Sequence, residues 1–254
     1  MERIRDKELA VDVQGTGEPL IFVHGLGGTT NVWGPQVNAF AGKFTTIRFD
    51  LEGAGRSPVS GPLSIENWVA DIDALMRAKG IDAARFAAHS LGTLIVQHFA
   101  ARFPNRVISL ALLGVNRAPE EARRQTVRDR AAKVRSGGLE AIVDSVIQGG
   151  LSEHTRRSNP VVVAFVREML LRQTPEGYAR CCEAVAASVA ADVTRITCPV
   201  LLVAGEQDTV SPPAVSEAMA KALRSASVTV LRNCGHWIPI EQPEEATRAL
   251  IGFL

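Results

Sequence analysis

The 254-residue sequence lacks several features that would indicate particular classes of protein. Its net charge is only +1 at pH 7, so the basic excess typical of a nucleic-acid-binding protein is missing. It contains no run of about 18 or more apolar residues, which argues against a membrane-spanning helix. The opening residues, Met1 to Asp6, are largely charged and lack the apolar segment of a secretory signal. We therefore expect a cytoplasmic protein that binds neither nucleic acid nor a membrane.

Cysteine is also scarce, with four residues in the whole chain: Cys181, Cys182, Cys198 and Cys234. They form no Cys-x-x-Cys pair, and the adjacent Cys181 and Cys182 do not have the spacing of zinc ligands. Free cysteine is among the residue types most often buried. We expect four buried thiols, no metal site and no cofactor. No pattern in the sequence indicates whether the protein is a monomer or a homo-oligomer.

The residues that are present predict one large α/β domain. Hydrophobic residues make up 46% of the chain and charged residues 22%, as in ordinary globular proteins. Short apolar runs such as Leu20 to Val23 alternate with helical patterns such as Ile65 to Lys79, which predicts a mostly parallel sheet with helices on both faces. Residues 115–193 interrupt this alternation with helix-like segments only. We expect residues 1–114 and 194–254 to form the core and residues 115–193 to form an inserted helical cap.

One short string in this core predicts a serine nucleophile. Ala88-His89-Ser90-Leu91-Gly92 follows an apolar run and precedes a long apolar helix pattern. A serine between a strand and a helix, with small residues two positions before and after it, is typical of the sharp turn called a nucleophile elbow. Glycine is usual at both small positions, so Ala88 is a mild departure. Alone, the string could equally be an ordinary serine at the start of a helix.

Two further residues at predicted strand ends complete a catalytic set. Asp208 lies four residues after the apolar run at 200–204, and His236 follows the last predicted strand. A serine hydroxyl needs a base to take its proton, and a carboxylate holds that base in the correct tautomer. His236 is the expected base and Asp208 the expected acid, with Glu206 in reserve. The other candidates, His98 and His154, fall inside a predicted helix and inside the cap.

The attacked carbonyl oxygen would need two hydrogen-bond donors as it becomes an anion. We expect the backbone N–H of Leu91, the residue after the nucleophile, to be one of them. The other would come from the glycine-rich loop at His24-Gly25-Leu26, with the N–H of Leu26 as the candidate. His24 itself is expected to hold this loop through backbone hydrogen bonds.

Taken together, these strings resemble the α/β-hydrolase superfamily. The resemblance rests on His24-Gly25, Asp50-x-x-Gly53-x-Gly55-x-Ser57, Ala88 to Gly92, Asp208 and Gly235-His236, and it covers nearly all of the chain outside the cap. Within the superfamily, Gly177-Tyr178 followed by Cys181-Cys182 is most similar to 3-oxoadipate enol-lactonases and the small bacterial esterases near them. The resemblance implies an α/β-hydrolase fold and a Ser-His-Asp hydrolase of a small carboxylic ester or lactone in aromatic catabolism.

An enol-lactone of this kind carries a carboxylate, so its pocket should contain a cation. Seven basic residues against three acidic ones lie between Arg117 and Arg135, which favours a positive entrance; the alternative is a solvated helix face. Arg117 is the first candidate because it follows a strand end. We expect Gly25 and Trp237 at the substrate as well.

The triad pattern leaves other activities open. The same residues would suit a hydrolase of carbon–carbon bonds in ring-cleavage products. They would also suit a ligand sensor of this fold with little turnover, or an enzyme with peroxyacid formation as a side activity. The natural substrate is not determined by these motifs.

Overall fold

The computed structural model describes residues 1–254. Nine strands form two sheets. The strands are β1 (Glu2–Ile4), β2 (Lys7–Leu9), β3 (Val11–Gln14), β4 (Glu18–Val23), β5 (Phe44–Phe49), β6 (Ala84–His89), β7 (Val107–Leu113), β8 (Val200–Gly205) and β9 (Ala226–Leu231). The helices outside the insert are α1 (Gly34–Phe40), α2 (Ile65–Ala78), α3 (Leu91–Arg102), α9 (Pro213–Ala222), α10 (Ile238–Glu241) and α11 (Pro243–Ile251).

The main sheet has seven strands in the order β3-β5-β4-β6-β7-β8-β9. Only β3 runs antiparallel to its neighbour; every other pair is parallel. The carboxyl ends of β4, β6, β7 and β8 therefore meet at one edge, and loops that follow different strands come together there. The predicted parallel α/β architecture with helices on both faces is confirmed.

Both faces of the central strands are buried, as their continuous apolar runs predict. In β4, Ile21 and Val23 belong to a cluster of 35 buried residues, while Leu20 and Phe22 belong to a cluster of 33 on the opposite face. The similar size of the two clusters means that helices cover both sides of the sheet. Helix α2 begins where expected, with Ser64 Oγ accepting from the N–H of Asn67.

Five helices and no strand lie between β7 and β8: α4 (Glu121–Gly137), α5 (Val143–Gly150), α6 (Glu153–Ser158), α7 (Pro160–Leu171) and α8 (Pro175–Ala187). None of the protein's helices is long and apolar enough to cross a membrane.

Sequence analysis missed the small N-terminal sheet of β1 and β2. These strands have only three residues each, too few to show an alternating pattern. The buried Lys7 of β2 fastens the hairpin to the core through ion pairs with the buried carboxylates of Glu52 and Asp71. The four cysteines are free and buried, as expected.

Candidate active site

Ser90 lies at the turn between β6 and α3 with a backbone φ of 50° and ψ of −118°. This is a conformation that L residues rarely adopt, and it is maintained only where the surrounding structure enforces it. Strand and helix approach so closely that a Cβ on Gly92 would lie 2.5 Å from the carbonyl oxygen of Val23. Ala88, the mild departure from the usual pattern, is fully buried in the sheet. The local geometry is that of a nucleophile elbow.

The structure brings together the three residues predicted to act as a triad. Ser90 Oγ lies 2.7 Å from His236 Nε2, and His236 Nδ1 lies 2.8 Å from Asp208 Oδ2. A carboxylate can only accept, so Nδ1 carries a proton and Nε2 is free to accept from the serine hydroxyl. This arrangement can remove the Ser90 proton as the oxygen attacks a carbonyl carbon.

Burial raises the pKa of Asp208, but the charge and hydrogen bond of His236 act in the opposite direction. Backbone N–H groups of Ser211 and Val210 add two more hydrogen bonds to Oδ1, each 2.8 Å long. The favourable contacts outweigh burial, so the pKa of Asp208 lies below its ordinary value. Glu206, the reserve acid, is exposed and accepts from the N–H of Asn233 instead.

The loop that carries His236 is held by a buried residue that sequence analysis missed. Glu241 is only 5% exposed, and its Oε1 accepts from the N–H groups of Gly235 and Trp237, on either side of His236. Its Oε2 accepts from the N–H of Ser152 in the helical insert. The sequence contains no local pattern that predicts these contacts, because two of the backbone N–H groups belong to an irregular loop and the third belongs to a distant segment.

Two other buried histidines position the site through backbone contacts. His89 Nε2 donates to the carbonyl of His236 at 2.8 Å. Burial first, and then the charge of His236, lower the pKa of His89 to about 3. His24 Nε2 accepts from the N–H of Leu51, so its Nδ1 donates to the carbonyl of Gly25. Burial lowers the pKa of His24, and this bond pair holds the glycine-rich loop beside Ser90 in the predicted manner.

Two backbone N–H groups at the cavity are free to donate. The N–H groups of Leu26 and Leu91 donate to no acceptor within the protein, and both residues line the cavity above Ser90. Gly25 approaches the serine so closely that a Cβ there would lie 2.8 Å from Ser90 Cβ. Unpartnered backbone N–H groups of this kind are the donors that can stabilise an oxyanion.

Ser90 and His236 open onto a cavity of about 300 Å³ between the sheet edge and the helical insert. The predicted substrate-binding residues Arg117 and Trp237 both line it. Tyr178 of α8 lines the opposite side, and its buried hydroxyl is close to Arg130. Burial raises the pKa of Tyr178, so the phenol stays protonated.

The basic stretch from Arg117 to Arg135 divides into two groups. Arg124 and Arg128 pair with Glu121, Arg135 pairs with Glu176 and Glu183, and Lys133 is exposed, so these four basic residues do not line the cavity. The second group lines the cavity and consists of Arg117, Arg123 and Arg130. None of these three has a carboxylate partner. Desolvation, and then the like charge of Arg130, lower the pKa of Arg123. Periodicity could not separate the groups, because which face of α4 meets the cavity depends on its packing against α8.

A further polar side chain touches the serine and was not expected from the sequence. Asn116 follows β7, and its Nδ2 lies 3.1 Å from Ser90 Oγ. No group of three or more His, Cys, Asp or Glu side chains is placed to hold a metal ion.

The chain is similar to known proteins in both sequence and fold. The sequence profile of the alpha/beta hydrolase fold matches residues 18–243. The chain belongs to the α/β hydrolase family. This α/β hydrolase is 32% identical to 3-oxoadipate enol-lactonase 2 of Acinetobacter baylyi over 234 residues, which cover 91% of this chain and 86% of that protein.

Solved structures of similar enzymes superpose on most of this α/β hydrolase. The enol-lactonase of Burkholderia xenovorans LB400 matches with a TM-score of 0.92 at 28% identity, covering 98% of this chain and 97% of that one. A thermophilic esterase of Thermogutta terrifontis, determined with malate bound, matches with a TM-score of 0.91 at 30% identity, covering 97% and 93%. The protein is thus related to enol-lactonases and esterases, as the sequence motifs predicted.

Proposed function

We propose that this protein is a serine hydrolase that cleaves a small carboxylic ester or lactone carrying a carboxylate group. The observation that carries the proposal is the unbroken chain of contacts from Ser90 Oγ through His236 to Asp208, which opens onto a cavity of small-molecule size. Residues 115–193 act as the cap that closes this cavity and selects the substrate.

The first half of the reaction forms an acyl-enzyme. Ser90 Oγ attacks the carbonyl carbon while its proton passes to His236 Nε2, and the carbonyl π electrons move onto the oxygen. Asp208 stabilises the charge on the imidazole. When the carbonyl re-forms, the bond to the leaving oxygen breaks and His236 gives that oxygen its proton. In a lactone the leaving oxygen stays attached to the acyl chain.

The second half releases the acid. Water enters the cavity, gives a proton to His236 and attacks the acyl carbon, and Ser90 then leaves with the proton returned by His236. In both halves the N–H groups of Leu26 and Leu91 hold the oxyanion. Each such donor contributes a factor of roughly 10² to 10³ to kcat in measured enzymes.

The unpaired arginines support a substrate with a carboxylate. Arg117, Arg123 and Arg130 line the cavity and form no ion pair with a carboxylate, and a bound carboxylate would accept charge-assisted hydrogen bonds from them. Gly25 leaves room beside Ser90 for the scissile group, and Trp237 provides an apolar wall next to the base. The resemblance to 3-oxoadipate enol-lactonases makes 3-oxoadipate enol-lactone the first substrate to test.

Two measurements test the reaction and its nucleophile. The wild-type protein should release nitrophenol from p-nitrophenyl acetate and open 3-oxoadipate enol-lactone, whereas Ser90→Ala should do neither. If the wild type has no activity on either compound and Ser90→Ala binds them equally well, the protein is a ligand-binding member of this fold and the proposal fails.

The carboxylate preference has a matched control on the same helix. Arg123→Ala, Arg130→Ala and Arg117→Ala should each raise KM for the anionic lactone by about tenfold and change KM for p-nitrophenyl acetate by less than about twofold, since a lost charge-assisted hydrogen bond costs roughly 1.5 kcal/mol. Arg128→Ala removes an α4 arginine that pairs with Glu121, so it should affect neither substrate. Equal effects of the cavity variants on both substrates would contradict an anion site.

A further inference from the structure

Asn116 contacts the same oxygen atom that the proposed reaction uses as its nucleophile. Its Nδ2 lies 3.1 Å from Ser90 Oγ, while that oxygen lies 2.7 Å from His236 Nε2. The hydroxyl has one proton, and the contact with the base uses it. The partner on the other side must therefore be a donor, which assigns the NH₂ group of Asn116 to Ser90.

We propose that Asn116 is a further catalytic residue whose side-chain amide orients the Ser90 hydroxyl and stabilises the negative charge that develops on Oγ as its proton leaves. The proposal rests on the proposed serine hydrolase function. Charge on Oγ is greatest when its proton has passed to His236 Nε2 and the new bond to the carbonyl carbon is still only partly formed. A hydrogen bond to a charged acceptor is roughly twice as strong as one between neutral groups.

The backbone of Asn116 is held by side chains of α3, the helix that follows Ser90. Its N–H donates to Thr93 Oγ1 at 2.8 Å, and Thr93 Oγ1 in turn donates to the carbonyl of Ser90 at 2.6 Å. The carbonyl of Asn116 accepts from Gln97 Nε2 at 2.9 Å. Thr93 and Gln97 are both nearly or fully buried.

Burying polar side chains is unfavourable unless each finds a partner. Here the side chains of Thr93 and Gln97 link the backbone of Asn116 to α3, and Thr93 also links it to the carbonyl of Ser90. The amide is therefore placed relative to Ser90 by a rigid frame and not by a flexible loop. Such a frame keeps the donor in position before the charge appears, which is the condition for electrostatic catalysis.

Asn116 also lies on the cavity wall, so it is present at the reacting centre. It is separate from the two backbone donors assigned to the carbonyl oxygen, because it contacts the attacking oxygen. Its removal should lower the reactivity of the serine itself and leave the binding of a neutral ester nearly unchanged.

Two measurements test this role. Diethyl p-nitrophenyl phosphate phosphorylates active serines, so its reaction rate measures the reactivity of Ser90 directly. p-Nitrophenyl acetate measures hydrolysis. Asn116→Leu should lower the second-order rate of phosphorylation and kcat/KM by about tenfold, with KM changed by less than about twofold. Asn67→Leu is the control, because Asn67 Nδ2 donates to the carbonyl of Pro62 away from the site. It should react like the wild type.

Asn116→Asp separates a catalytic from a merely structural role, because it keeps the size of the side chain. Its ionised carboxylate cannot donate and repels charge on Oγ, whereas its protonated form can donate again. The rate of Asn116→Asp divided by that of Asn116→Leu should thus be below 1 at about pH 8 and rise as the pH is lowered toward about 5. Taking this ratio removes the part of the pH dependence that the two variants share.

The outcomes distinguish the role of Asn116 from the proposed hydrolase function. A phosphorylation rate for Asn116→Leu within twofold of the wild type overturns the assignment of Asn116. Equal losses in Asn116→Leu and Asn116→Asp at every pH, accompanied by a lowered melting temperature, also overturn it in favour of a structural role. A wild-type protein that reacts with neither compound overturns the proposed hydrolase function instead.

Discussion

Both carboxylate oxygens of Asp208 accept hydrogen bonds, and one of these bonds joins Asp208 to His236. Its Oδ2 lies 2.8 Å from His236 Nδ1, and its Oδ1 accepts from two backbone N–H groups of the following turn. Asp208 is 3% exposed, so solvent contributes little to these contacts. An anion held in this way favours the imidazole tautomer with its proton on Nδ1 and leaves Nε2 available for Ser90.

Replacing this carboxylate should therefore abolish most activity. Asp208→Asn can donate through its amide to Nδ1, which would select the wrong imidazole tautomer. We expect kcat for p-nitrophenyl acetate to fall by roughly four orders of magnitude, the loss measured for this substitution in a Ser-His-Asp protease. Steady-state kinetics at about pH 8 measure the change.

Glu206→Gln is the matched control for Asp208→Asn. Glu206 follows the same strand, but it is exposed and contacts the N–H of Asn233. Its kcat should stay within about twofold of the wild type. The roles of the two acids would have to be exchanged if Glu206→Gln lost activity and Asp208→Asn kept it.

The backbone conformation at Ser90 predicts that replacing this serine with glycine raises the free energy of unfolding more than replacing it with alanine. With φ at 50°, a serine is strained by about 1–3 kcal/mol, whereas glycine accepts this conformation. Ser90→Gly should unfold with a free energy about 1 kcal/mol higher than that of Ser90→Ala, although both variants lack the nucleophile. Urea unfolding of the two variants provides the comparison, and a less stable Ser90→Gly would show that the turn is not strained.

The close approach of α3 and β4 makes Gly92 sensitive to a single methyl group. A Cβ at this position would lie 2.5 Å and 2.7 Å from the carbonyl oxygens of Val23 and His24. Gly92→Ala should lower the free energy of unfolding by about 2–3 kcal/mol, since backbone must move. Gly34→Ala, where no atom lies within 4 Å of the added Cβ, should change it by less than about 0.5 kcal/mol. Similar effects of the two substitutions would contradict this account.

His89 should make the protein less stable in acid. Its pKa is lowered to about 3 by burial and by the charge of His236, whereas an unfolded histidine titrates near about 6.5. Between these values the unfolded chain binds a proton that the folded protein does not. The free energy of unfolding should thus fall as the pH drops below about 6.5, by up to about 1.4 kcal/mol per pH unit for this one proton.

His89→Gln keeps a side chain that can donate to the carbonyl of His236 and removes the titrating group. Urea unfolding of both proteins between about pH 7 and 5 should therefore give a shallower pH dependence for the variant. Equal slopes in the two proteins would mean that His89 is not the group responsible.

Much of the active site was predictable because it lies at strand ends. Apolar runs identify the buried strands, and the carboxyl ends of parallel strands share one edge of the sheet. Ser90, Asp208 and His236 could therefore be brought together from their positions in the chain alone. The chemistry of a serine nucleophile then required a base and an acid, and only these residues had the right places.

The contacts made by the helical insert could not be predicted in the same way. Seven basic residues precede and occupy α4, and the pattern along the chain does not say which of them face the cavity. Packing of α4 against α8 decided that Arg123 and Arg130 line the cavity, while Arg135 pairs with Glu176 and Glu183.

The α/β architecture, the turn at Ser90 and the chain order of the three residues of the proposed triad could be predicted from the sequence, because hydrophobic period and strand-end position are local properties. The contact of Asn116 with Ser90 and the contacts of Glu241 with the loop that carries His236 became visible in the folded structure. The Asn116 contact joins residues 26 positions apart in the chain, and Glu241 also accepts from the N–H of Ser152, 89 positions away. No repeating pattern of residues encodes such contacts; they follow from how the finished sheet and helices pack.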